Sequence, residues 1–105
     1  MSSSASQIAS QIFSTARELG WSVNVRRGSI LTIQKDIVPG DLESFARADS
    51  QYYTILGLLP QTRAGSMWGT DGGGVGALEA TQTGVFTMHK SGGNKNVIRA
   101  LERLL

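Results

Sequence analysis

Apolar residues open the chain at Ala5, Ile8, Ala9, Ile12, Phe13, Ala16 and Leu19. Intervals of three and four residues predict an amphipathic helix, with serines to cap its start and Gly20 placed to end it. The period then drops to two. Trp21, Val23 and Val25 alternate with Ser22, Asn24 and Arg26, as in a half-buried strand. Arg27-Gly28 reads as a tight turn, and Ser29 to Lys35 as the returning strand that carries Ile30, Leu31 and Ile33. Pro39-Gly40 punctuates the next loop. Asp41 is placed to cap a short helix, Leu42 to Ala48, with Leu42 and Phe45 facing inward.

Further on, Tyr52 to Leu59 is aromatic and β-branched at first and ends in leucines, which predicts a third strand with a bulge or close approach at Gly57. Ser66 to Trp68 is read as a short fourth strand. The stretch 69–76, GTDGGGVG, holds five glycines in eight residues and is read as irregular. Ala77 to Thr81 forms a fifth predicted strand, joined through Thr83-Gly84 to a sixth, Val85 to Lys90. After Ser91-Gly92-Gly93-Asn94, the segment Lys95 to Leu105 predicts a helix that buries Val97, Ile98, Leu101 and either Leu104 or Leu105. The expectation is one α+β domain over residues 1–105. Its antiparallel sheet has about five or six strands, with N-terminal, short middle and C-terminal helices packed mainly on one face.

Composition narrows the class. A chain of 105 residues matches one typical domain, and 40% hydrophobic residues suffice for one core. No apolar run approaches the roughly 20 residues that span a bilayer, so no membrane partner is expected. Met1-Ser2-Ser3-Ser4 has neither the basic nor the apolar region of a secretory signal. Cysteine is absent, which excludes disulfides and thiolate chemistry and fits a cytoplasmic location. Net charge is only +2, so the pI of 9.4 overstates how basic the surface is. What matters for a polyanion is whether the cations gather on one face.

Two places bring cations together. At the junction before the last helix, Lys90, Ser91, Gly92, Gly93, Asn94 and Lys95 combine charges, a hydroxyl and glycines that let an anion approach the backbone. The residues are not a Walker A loop, and no dinucleotide fingerprint is present. A plain turn capped by Asn94 accounts for the same residues. At the first hairpin tip stand Arg26 and Arg27, with Arg99 and Arg103 further along the last helix. The candidate phosphate contacts are Arg26, Arg27, Lys90, Ser91, Gly93, Lys95 and Arg99, with DNA or RNA as the partner. Trp68 and Tyr53 are candidate stacking residues, with Tyr52 and Tyr53 expected on opposite faces.

Catalysis has little support in the sequence. His89 is the lone histidine, no nucleophile elbow is visible, and Asp71 by itself makes a poor metal site. The expectation is a non-catalytic binding domain without metal or cofactor. A nucleotide enzyme would require a cleft joining Asp71, His89 and Lys90. A rival class is a protein–protein or homo-oligomeric module, formed through a sheet edge or the apolar end Leu101, Leu104 and Leu105.

Overall fold

Helix α1, Ala5–Glu18, begins with a reciprocal cap: the Ser4 hydroxyl accepts from the Gln7 amide at 3.1 Å, and the Gln7 side chain accepts from the Ser4 amide at 2.9 Å. It ends in paired bonds from the Trp21 amide to the Ala16 carbonyl at 2.8 Å and from the Gly20 amide to Arg17 at 3.1 Å. Both terminal signals are therefore used as the periodicity predicts. The computed structural model describes residues 4–59, 77–90 and 95–105.

Strands β1, Ser22–Arg26, and β2, Ile30–Asp36, form the expected antiparallel hairpin. Helix α2, Leu42–Leu56, and helix α3, Ala77–Thr83, precede strand β3, Val85–Lys90, and helix α4, Lys95–Leu104, follows it. The sheet order is β1-β2-β3 with β2 in the centre, and both pairings are antiparallel. In register, Val23, Ile33 and Met88 form one row, and Val25, Leu31 and Lys90 the next. These positions share the face that meets the helices. The opposite face is mostly polar, with Asn24, Thr32 and His89 in one row and a Thr32 Oγ1 to His89 Nδ1 hydrogen bond of 2.9 Å. His89 thus lies on the polar side of its strand.

Two predicted strands are helices. Tyr52 to Leu56 belongs to α2, which runs far beyond the expected end at Ala48. Its buried residues Ala48, Tyr52, Ile55 and Leu56 recur at helical intervals, and that periodicity overrides the strand propensity of adjacent tyrosines. Gly57 is the C-cap of this helix, with φ −63°, and not a bulge. Ala77 to Thr81 lies in α3, where Ala77, Leu78, Glu79 and Ala80 are strong helix formers. Gly84 does not turn a hairpin. It ends α3 at φ +75° with its amide on the Ala80 carbonyl at 2.8 Å, and a Cβ there would lie 2.9 Å from Pro39 Cγ. Three strands, rather than five or six, make up the sheet among the described residues, and the α+β class stands. The predicted strand at Ser66 to Trp68 and the glycine-rich stretch 69–76 lie outside the described residues.

The core joins all layers. Ala9, Ile12, Ala16, Ile55, Ala80, Ile98 and Leu101 are fully enclosed. At one end Phe86 gathers an aromatic group, with ring centroids 5.5 Å from Trp21, 5.4 Å from Phe45 and 5.9 Å from Tyr52. Asp41 caps α2 as expected, accepting from the Glu43 amide at 3.0 Å. Leu42, by contrast, is 70% exposed, and the buried residues of α2 begin only at Ala48. Val97, Ile98 and Leu101 are buried as expected, but neither Leu104 nor Leu105 is: both are exposed, and Ala100 is buried instead. No helix among the described residues is long and apolar enough to cross a membrane.

A polar tie closes the aromatic end. Lys35 Nζ donates to the Leu19 carbonyl and to Gln51 Oε1, both at 2.6 Å, while Trp21 Nε1 donates to the same Gln51 oxygen at 3.0 Å. The Leu19 carbonyl is one of the acceptors that a helix end leaves open. Desolvation, helped by the nearby charge of Arg47, lowers the Lys35 pKa below 10.5. Lys35→Met is expected to cost about 1–2 kcal/mol in urea unfolding, as two acceptors lose a donor. Because the native pKa is depressed, the wild type gains stability relative to that variant as pH rises toward 10.5. A wild-type advantage that shrinks over that range would contradict this account of the tie.

Candidate functional site

The hairpin tip is built by Arg27 and Gly28, both at positive φ, 54° and 70°, with the Ser29 amide bonded to the Arg26 carbonyl at 3.1 Å. Two central residues at positive φ define the turn whose twist matches paired strands, and Asn or Gly normally fills the first of them. Arginine there costs about 1–2 kcal/mol in backbone strain.

Helix α4 packs on α1 and also reaches β1, which carries its outer face past that tip. A cleft of about 430 Å³ lies between them, lined by Arg27, Gly28, Ser29, Lys95, Arg99, Glu102 and Arg103. Four cations therefore face one carboxylate. Lys95, Arg99 and Arg103 repeat every fourth residue, so they stand in a row about 6 Å apart on one side of the helix.

Each cation meets a local penalty, from backbone conformation, the helix dipole or a like-charged neighbour. Arg27 takes a backbone conformation suited to Asn or Gly. Lys95 lies at the positive end of the α4 dipole, in a first turn that holds no acid. Lys95–Arg99 and Arg99–Arg103 are like-charge pairs at i, i+4, each destabilising by about 0.2–0.5 kcal/mol. Only Arg103 suits its local dipole, in the last turn. An anion in the cleft would relieve the repulsion among Lys95, Arg99 and Arg103.

The sequence-based candidates divide in three. Arg27, Lys95 and Arg99 come together in the cleft. Arg26 is exposed, but it follows Ser22 and Asn24 on the face of β1 turned away from the helices and lines no part of the cleft. Lys90 is 4% exposed on the helix-facing side, within the protein and not at the cleft. Ser91, Gly93 and Trp68 lie outside the described residues, as does Asp71. Tyr53 is 62% exposed on α2, where its ring packs 5.0 Å from buried Tyr52, and it takes no part in the cleft. The tyrosines do differ in burial, for a helical reason rather than strand alternation.

Sequence reasoning left Arg103 and Glu102 out of the site. The i, i+4 repeat from Lys95 through Arg99 was the available signal for Arg103. Glu102 had none, because its place at the cleft depends on the hairpin beside it. A Cβ placed on Gly28 would lie 4.0 Å from Glu102 Oε2. Among the described residues no group of three or more His, Cys, Asp or Glu side chains could hold a metal ion. No protein-family model, curated protein or solved structure matches this chain.

If the cleft holds unrelieved repulsion, sodium chloride should raise the stability of the ligand-free protein by screening it. Arg27→Asn should add about 0.5–1 kcal/mol by relaxing the turn. Thermal unfolding checks both, and a melting temperature that falls with salt or with this substitution would contradict the reading.

Proposed function

We propose that this domain is a non-catalytic binding module whose ligand is the phosphate backbone of DNA or RNA, held in the cleft between the β1–β2 tip and α4. The observation that carries the reading is the convergence of Arg27, Lys95, Arg99 and Arg103 from separate parts of the chain into one concave site. Their placement against local preference supports it, since such conflicts concentrate where function outweighs stability. Phosphate oxygens satisfy guanidinium forks and an ammonium together, and neutralising each phosphate releases a counterion. No aromatic ring lines the cleft among the described residues, so the contacts are to the backbone and carry little base preference.

The exposed C-terminal leucines, Leu104 at 43% and Leu105 at 52%, favour a second reading, self-association through that end. Light scattering distinguishes it, because a stable dimer with no nucleic-acid affinity would favour self-association.

Fluorescence anisotropy with short labelled oligonucleotides tests the leading reading. The logarithm of the association constant should fall linearly with the logarithm of salt concentration, with a slope of about 3 to 4 for four contacts. Arg27→Ala and Arg99→Ala should each weaken binding roughly two- to fivefold at low salt and reduce the slope by about one. Arg26→Ala and Tyr53→Ala should change it less than either. Absence of binding by micromolar protein at low salt would overturn the proposal.

A further inference from the structure

We infer that Glu102 selects the sugar: the cleft prefers ribose over deoxyribose strands because this carboxylate accepts a hydrogen bond from a 2′-hydroxyl beside the bound phosphate. The inference rests on the cleft being a nucleic-acid site. Glu102 is the one carboxylate among the described residues that line it. A carboxylate repels phosphate, so a site built for phosphate alone gains nothing by placing one there.

Its position is not that of a simple counterion. Glu102 follows Arg99 by three residues and precedes Arg103 on the same side of α4, yet among the described residues it closes no ion pair with either. The side chain instead reaches toward the hairpin, with Oε2 4.0 Å from where a Gly28 Cβ would stand. The missing side chain at Gly28 leaves room beside the carboxylate. Glu102 therefore presents acceptor oxygens next to Arg27, Arg99 and Arg103, which hold phosphates. Cations donate and cannot accept, so this carboxylate supplies what a ligand hydroxyl needs. The group that differs between the two kinds of strand, and lies next to the phosphate, is the 2′-hydroxyl.

Two substitutions separate attraction from repulsion. Glu102→Gln keeps an acceptor oxygen and removes the charge, while Glu102→Ala removes both. Glu102 is exposed on α4, and both replacements suit a helix, so the far-ultraviolet circular-dichroism spectrum at the binding temperature should match the wild type. The probes are oligouridylate and oligodeoxyuridylate of equal length and label, differing only in the 2′-hydroxyl. The wild type should bind the ribo strand roughly three- to tenfold more tightly, the worth of one hydrogen bond. Glu102→Gln should bind both strands more tightly and keep a ribo preference. Glu102→Ala should also bind both more tightly but with a ratio near one. An unchanged ratio in Glu102→Ala would overturn the role of Glu102 alone. Failure of the wild type to bind either strand, or indifference to Arg99→Ala, would overturn the cleft reading and this inference with it.

Discussion

The arrangement depends on the seating of α4 against α1. Ala9, Ile12 and Ala16 on one helix, and Val97, Ile98, Ala100 and Leu101 on the other, leave no water-exposed surface or nearly none. The small side chains at Ala9, Ala16 and Ala100 suit a close approach of two backbones, and the larger Ile12, Ile98 and Leu101 fill the space around them. Once that seam is fixed, the polar side of α4 has one orientation left. It faces past β1 to the hairpin tip, so a hydrophobic constraint determines where the charges lie. Burying a core residue and aiming Arg99 are two results of the same rotation about the helix axis.

That coupling explains why the cleft tolerates poor local chemistry. A lysine at a helix start, three cations at four-residue intervals and an arginine at positive φ each subtract a fraction of a kilocalorie to about two from stability. The enclosed core offsets them, since burial of one large apolar side chain is worth about 1.5–3 kcal/mol. Elsewhere the polar chemistry is satisfied: Ser4 and Asp41 cap their helices, the end of α1 is bonded, and Lys35 meets two acceptors. Unfavourable choices are thus concentrated beside the hairpin tip, where a polyanion would relieve the part of them that is charge repulsion.

Much of this fold was legible because local pattern and burial agree in it. The first helix, the hairpin turned at Arg27-Gly28, the strand Val85–Lys90 and the inward placing of Val97, Ile98 and Leu101 on α4 all follow from a clear period of 3.6 or 2. Tyr52 to Leu59 misled because local composition and long-range period disagree there. The tyrosines and the leucine-rich end suggest a strand, whereas Ala48, Tyr52, Ile55 and Leu56 meet the core only on a helix. At Ala77 to Thr81 a glycine just before β3 suggested a hairpin, but Gly84 serves a helix end packed against Pro39. The site was legible in its residue types and not in their grouping. Arg26 and Arg27 are neighbours in sequence, yet the turn sends only Arg27 to the cleft, and Lys90 is withdrawn by the same alternation that makes β3 a strand.

The central claim is that cations from the hairpin tip and from α4 act as one surface. Backbone amide shifts, followed by nuclear magnetic resonance while a short unlabelled oligonucleotide is titrated at low salt, test it most directly. Changes confined to residues 27–29 and 95–103 and saturating together are the predicted result. Changes centred on the opposite sheet face, around Asn24, Thr32 and His89, would contradict it.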